Sequence, residues 1–132
     1  MADAPNHKTL ETFDNPRPGR EYEIKIEAPE FTCICPKTGH PDFATMTLLY
    51  VPDKKCVELK SYKLYVQAWR NVGIFHEAVT NQIADDLVKA LDPIALSLEG
   101  AFHAHGGIST SVMVEYDRPF DEAQTSPKKH KK

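Results

Sequence analysis

Tyr22, Ile24, Ile26 and Ala28 alternate with Glu23, Lys25 and Glu27, the period of two that marks a half-buried strand. After a break carrying Pro36, Gly39 and Pro41, the run Phe43–Val51 is apolar on both faces. Its threonines and valine predict a second strand, covered on both sides. Pro52-Asp53-Lys54 reads as a turn. From Ser61 the period changes: Tyr62, Tyr65, Val66 and Trp69 recur at helical spacing, and the stripe ends near Asn71-Val72-Gly73. Val79, Ile83, Leu87 and Leu91 form a second helical stripe, stopped by Pro93 just after Asp92. Ile94, Leu96 and Leu98 then alternate with Ala95, Ser97 and Glu99, and a last strand runs through Thr110, Val112, Val114 and Tyr116 after Gly106-Gly107.

The predicted order is β-β-α-α-β-β. It makes an α+β domain, an antiparallel four-stranded sheet with two helices on one face. Leu48, Tyr50, Val112 and Val114 call for more cover than two helices give, so self-association through sheet edges or helices is expected. Residues 1–20, polar and holding Pro5, Pro16 and Pro18, read as an arm with little regular structure. Residues 21–117 read as the domain, and 118–132 as a solvated, disordered tail. The sequence shows no internal repeat and no second domain.

Composition narrows the function class. The 132 residues suit one domain with a real core. No apolar run approaches the ~20 residues of a membrane helix, and the polar start is unlike a secretory signal. Setting aside Lys128, Lys129, Lys131 and Lys132 takes the net charge from −3 to −7, which argues against a nucleic-acid surface across the fold. Three cysteines are no disulfide framework and point to a reducing cytoplasm.

Cys35 lies in the Pro- and Gly-rich loop beside Lys37, a setting in which a thiol is open to deprotonation, and thiolate is the nucleophilic form. Asp42 follows past the Gly39–Pro41 bend, which can fold it back toward the sulfur as a proton donor. Cys33, Cys35, His40 and Cys56 do not have a recurrent structural-zinc spacing, so no metal is expected. A Cys33–Cys35 bridge would be strained. Without Gly-x-Gly-x-x-Gly there is no Rossmann site to carry a dinucleotide.

Glu58-Leu59-Lys60-Ser61-Tyr62-Lys63-Leu64-Tyr65 resembles, at all eight places, the signature of the QueF family of NADPH-dependent nitrile reductases. Glu30-Phe31-Thr32, Cys35 to Asp42, Phe43-Ala44-Thr45, Trp69-Arg70-Asn71, Phe75-His76-Glu77 and Gly106-Gly107-Ile108-Ser109 match as well, so the likeness covers roughly residues 20–117. The chain departs where the family often carries Pro-Arg-Gly-Gly, having Ala104-His105-Gly106-Gly107. It also has Val79 where some relatives place a cysteine able to bridge the nucleophile.

The resemblance implies a tunnelling fold (T-fold), with sheets joined into a pentameric barrel and two rings stacked as a homodecamer. It implies Cys35 as the nucleophile that forms a thioimidate with 7-cyano-7-deazaguanine, and Asp42 as the acid. Glu77 would hold the deazaguanine, with His76 beside it and Val57, Glu58 and Leu59 lining the pocket. Lys60, Ser61 and Lys63 would bind NADPH, two molecules being consumed in making the aminomethyl product, a step of queuosine biosynthesis. No direct nucleic-acid or membrane partner is implied. Two rival readings are another T-fold pterin or purine enzyme, and a non-catalytic scaffold with the same fold. The histidines do not cluster as a metal-binding enzyme of the first kind requires, and Cys35 together with Asp42 argues against the second.

Overall fold

The structure, a computed structural model, describes residues 3–119; the basic tail lies outside them. A 3₁₀ turn, His7–Thr9, precedes β1 (Thr12–Asp14), β2 (Ile24–Ile34), β3 (Pro41–Val51), β4 (Lys55–Val57), α1 (Leu59–Gln67), α2 (His76–Leu91), β5 (Ala95–His105) and β6 (Ile108–Asp117). The main sheet is antiparallel throughout in the order β2-β3-β5-β6. α1 packs against β2, and α2 against β5 and β6. The expected β-β-α-α-β-β layout is therefore the body of the molecule, with β1 and β4 as a small additional pair.

Each element has a local cause. Glu58 caps α1 by accepting from the backbone N–H groups of Lys60 and Ser61, so the helix starts at Leu59, three residues before its apolar stripe begins at Tyr62. α2 ends where Asp92 turns left-handed at φ 47°, and Pro93 cannot continue it. Gly106 and Gly107, both at positive φ, close the β5–β6 hairpin in a two-residue turn. β2 is bulged between Ala28 and Phe31, around Pro29, which has no N–H to give a ladder. Tyr22, expected in this strand, lies just outside it and donates to Asn15 Oδ1 at 2.6 Å.

The arm, expected to have little regular structure, holds only the 3₁₀ turn and β1, but it is tied to the body: β1 pairs antiparallel with β4, Thr12 opposite Val57 and Asp14 opposite Lys55. Glu11 ties it further, its carbonyl accepting from Glu58 N–H and its N–H donating to Ser61 Oγ. Leu48 and Tyr50 do not need a partner chain. They share the helix-covered face with Ala44 and Met46 and are fully buried. The opposite face, also expected to be covered, instead carries Thr45, Thr47, Leu49, Ser97 and Glu99, only partly covered, and exposed Met113 and Glu115. A mostly polar face tolerates water. Val112 and Val114 are half-buried.

The core between helices and sheet centres on Trp69, Tyr65, Phe31, Met46, Ile83, Leu87 and Leu98. One buried polar link crosses it: Tyr65 Oη donates to Asp86 Oδ2 at 2.5 Å, and Gln82 Nε2 donates to Oδ1 at 3.0 Å. Tyr65→Phe leaves the buried carboxylate with one donor fewer. It is expected to lower unfolding free energy by about 1–3 kcal/mol in urea titration, without altering the site chemistry.

Candidate functional site

The β2–β3 hairpin builds the centre of the site. Cys35 N–H donates to His40 carbonyl at 2.9 Å and Gly39 N–H to Cys35 carbonyl at 2.8 Å, closing a tight loop over residues 35–40. Gly39, at φ 74°, supplies the left-handed turn. Cys35 is partly exposed at the strand's end. The Thr38 hydroxyl, with the backbone N–H groups of Thr38 and Lys37, holds its thiol below the ordinary range by hydrogen bonding. The carboxylate of Asp42 opposes this more weakly. Cys33 is different in kind: it is fully buried, and its thiol is pushed up to about 12 by burial. All three cysteines are free.

Asp42 faces Cys33 across the strand pair. The parallel bridge Ile34–Gly73 lays the α1–α2 connection alongside the end of β2, with Ile34 N–H donating to Val72 carbonyl and Ile74 N–H to Ile34 carbonyl. That bridge delivers Phe75-His76-Glu77 to the hairpin, and His76 Nε2 stands 3.0 Å from Asp42 Oδ2. Both side chains keep limited access to water, 26% and 14% exposed. Glu77 is exposed in the first turn of α2, where its charge also suits the helix dipole. A cavity of about 410 Å³ opens beside Asp42 between His40, Phe43, His103 and Ala104.

The remaining residues singled out from the sequence gather elsewhere. Val57 is buried, its N–H donating to Tyr50 Oη at 3.0 Å. Glu58's carboxylate is engaged as the α1 cap, which holds it below the usual range through the N–H groups of Ser61 and Lys60. Leu59 is exposed. Ser61 Oγ is buried and already serves Glu11 and Glu58 backbone. Lys60 and Lys63 are exposed. Lys63, Leu59, Tyr62 and Arg70 line a groove of about 370 Å³ against Glu27, Pro29 and Glu30 of β2. This groove shares no lining residue with the cavity at Asp42.

Sequence reasoning missed Thr38 and Arg70 as site residues. Thr38 had a signal, a hydroxyl three residues after Cys35 in a turn-forming Pro-Lys-Thr-Gly stretch. Arg70 had its place in the family-matching Trp69-Arg70-Asn71 and its seven-residue spacing from Lys63. Thr38→Val is expected to move the midpoint of Cys35 alkylation by iodoacetamide upward in pH. Less thiolate then exists at neutral pH, and labelling there slows, as timed mass spectrometry would read.

A loop thiol with a lowered pKa and a carboxyl–imidazole pair, on an antiparallel sheet backed by two helices, form an arrangement on a T-fold that can support thiol–acid chemistry. Residues 41–121 match the family model described as QueF-like protein. Among curated relatives, a protein of Methylobacillus flagellatus is 61% identical over 112 residues, 85% of this chain and 81% of the relative. One of Nitrosomonas eutropha is 61% identical, covering 83% of this chain and 78% of its own. One of Thioalkalivibrio sulfidiphilus is 59% identical, covering 85% and 87%. All three are named NADPH-dependent 7-cyano-7-deazaguanine reductase. The crystal structure of the apo form of an archaeosine synthase QueF-Like superposes with a TM-score of 0.63 at 18% identity, over 72% of this chain and 91% of that one, and shares the fold. The chain belongs to the QueF family.

Proposed function

We propose that the protein is the NADPH-dependent nitrile reductase that converts 7-cyano-7-deazaguanine to 7-aminomethyl-7-deazaguanine, a step toward the modified tRNA nucleoside queuosine. The domain spans residues 21–117, with 1–20 as an arm and 118–132 as a tail. The single observation that carries the mechanism is Cys35, kept acidic by Thr38, beside the Asp42–His76 pair.

Cys35 thiolate adds to the nitrile carbon as the nitrile nitrogen takes a proton from Asp42, giving a neutral thioimidate bound to sulfur. A nitrile is a poor hydride acceptor; the thioimidate is a better one. Two NADPH molecules, when bound in turn, supply one hydride each, four electrons in all, and one further proton beyond the first from Asp42 completes the amine. Between them Cys35 leaves as thiolate and an imine remains. The Asp42–His76 pair, reprotonated from solvent after the first transfer, passes the second proton to the nitrogen. Glu77 grips the ring N–H and exocyclic amine of the deazaguanine with two hydrogen bonds, His76 stands beside it, and Val57, Glu58 and Leu59 form the pocket's other wall. Glu58 contributes there by fixing the start of α1, since its carboxylate is engaged.

The groove beside α1 suits NADPH. Lys63 and Arg70 offer cations for phosphates at its walls, Lys60 extends that charge, and the buried Tyr62 hydroxyl has no partner among the described residues. Ser61 acts by anchoring α1 rather than through its occupied hydroxyl. Because the groove and the Asp42 cavity are separate within one chain, a complete site draws one half from a second copy. The outward edges of β2 and β6 suit ring closure of the sheets, and a homodecamer of two stacked pentamers is the proposed assembly. No helix among the described residues is long and apolar enough to cross a membrane; the proposed location is the cytoplasm, where Cys35 stays reduced.

Mixing the protein with 7-cyano-7-deazaguanine in the absence of NADPH tests this. A mass increase of one substrate on the peptide holding Cys35, with a thioimidate absorbance band, is expected. An unmodified Cys35 in folded protein with bound substrate would refute the covalent route.

A further inference from the structure

Phe102 lies where β5 and β6 lose register: it still pairs with Thr110, and the ladder resumes only at His105 and Ile108. Its ring is buried, 3% exposed. One face lies flat on the His76 imidazole, ring centres 3.8 Å apart and planes within 6°. Phe31, itself fully buried, meets Phe102 edge-on at 6.2 Å and 89°. The imidazole is thus held on one face by a wall that is fixed from behind, while its Nε2 reaches Asp42 at 3.0 Å.

The backbone beneath is also tuned. Thr80 Oγ1 donates to His76 carbonyl at 2.8 Å. A Cβ on Gly100 would come within 2.7 Å of that same Thr80 Oγ1 and 3.1 Å of Phe102 Cε1. Glycine at 100 therefore leaves room for both groups that bear on His76. The second torsion of a histidine side chain is broad and poorly fixed by its own rotamer preferences. A parallel ring stack removes that freedom, because turning the imidazole about this torsion drives its edge into the phenyl face.

We propose that Phe102 is a positioning residue for the nitrile-addition step, acting through His76 to keep the Asp42 carboxyl aimed at the nitrogen of the bound substrate. The inference rests on the reading of Cys35 and Asp42 given above and adds a residue to it. Its signature is an effect that depends on Asp42. Phe102→Leu keeps an apolar side chain of moderate size but removes the flat wall. Misplacing a catalytic group by about an ångström costs on the order of 10- to 100-fold in rate.

The test is the rate of adduct formation on Cys35 with 7-cyano-7-deazaguanine alone, in folded protein matched for melting temperature. Phe102→Leu is expected to slow it about 10- to 100-fold. Substrate affinity, measured in a Cys35→Ala background, should move less than about 3-fold, because the lost interaction matters in the transition state. Phe102→Tyr, which keeps a flat ring, should recover most of the rate. In an Asp42→Asn background Phe102→Leu should slow the residual reaction no further, since the residue it serves through His76 has gone. If Phe102→Leu does not fold, Gly100→Ala, which presses on Phe102 and Thr80, gives the same comparison. An unchanged rate, or an equal loss with and without Asp42, overturns the positioning role while leaving the reductase reading intact. Absence of any adduct in the unaltered protein overturns that reading and this inference with it.

Discussion

Cys35→Ala is expected to abolish substrate-dependent NADPH oxidation, by at least about 1,000-fold, because removing the nucleophile leaves only binding and orientation to help the reaction. The thiol is partly exposed and outside the packed core, so the melting temperature should stay close to that of the unaltered protein. Cys33→Ala makes the contrast. It removes a fully buried sulfur packed in the core, so its effect should fall on stability, and Cys35 should still form the adduct. Intact-mass spectrometry with substrate, run beside thermal melts, separates the two. A Cys35→Ala protein that still consumes NADPH when substrate is added would end the covalent mechanism.

Asp42→Asn is expected to split two properties that usually move together. Asparagine keeps the shape and a hydrogen bond to His76 but has no carboxylic proton to give, and loss of a general acid costs about 100- to 10,000-fold. The carboxylate of Asp42 also pushes the Cys35 thiol up. Removing that negative charge lets the thiol ionise at lower pH, so Cys35 should alkylate faster near neutrality while nitrile reduction collapses. Stopped-flow NADPH oxidation and iodoacetamide labelling across pH 5–9 would read both. A variant slower in both assays would show that Asp42 acts by holding the hairpin's shape.

Much of this was legible in the sequence because it is written in short-range patterns. Period two located β2 and β5, period 3.6 located both helices, and Asp92-Pro93 fixed where α2 stops. The loop that folds Asp42 back against the cysteines also followed from Gly39 and Pro41. What was not legible depends on distant partners. Three-residue strands such as β1 and β4 carry too little pattern to show that they pair. Which face Leu48 and Tyr50 share depends on where the helices settle. The Asp42–His76 contact spans 34 positions and exists because of the Ile34–Gly73 bridge. Glu58 shows the opposite difficulty. Its place in a family motif suggested a ligand contact, while its carboxylate serves the backbone of its own helix.

The arm's attachment has a practical consequence. Glu11 accepts from Glu58 N–H and donates its own N–H to the Ser61 hydroxyl, so the first turn of α1 is braced from outside the domain that contains it. A protease nick after Arg20, which is exposed, would spare every strand of the main sheet and leave the brace held by the β1–β4 pairing and the Glu11 hydrogen bonds alone. Expression tags on this end of the chain therefore sit closer to the groove bearing Lys63 and Arg70 than their distance in sequence suggests.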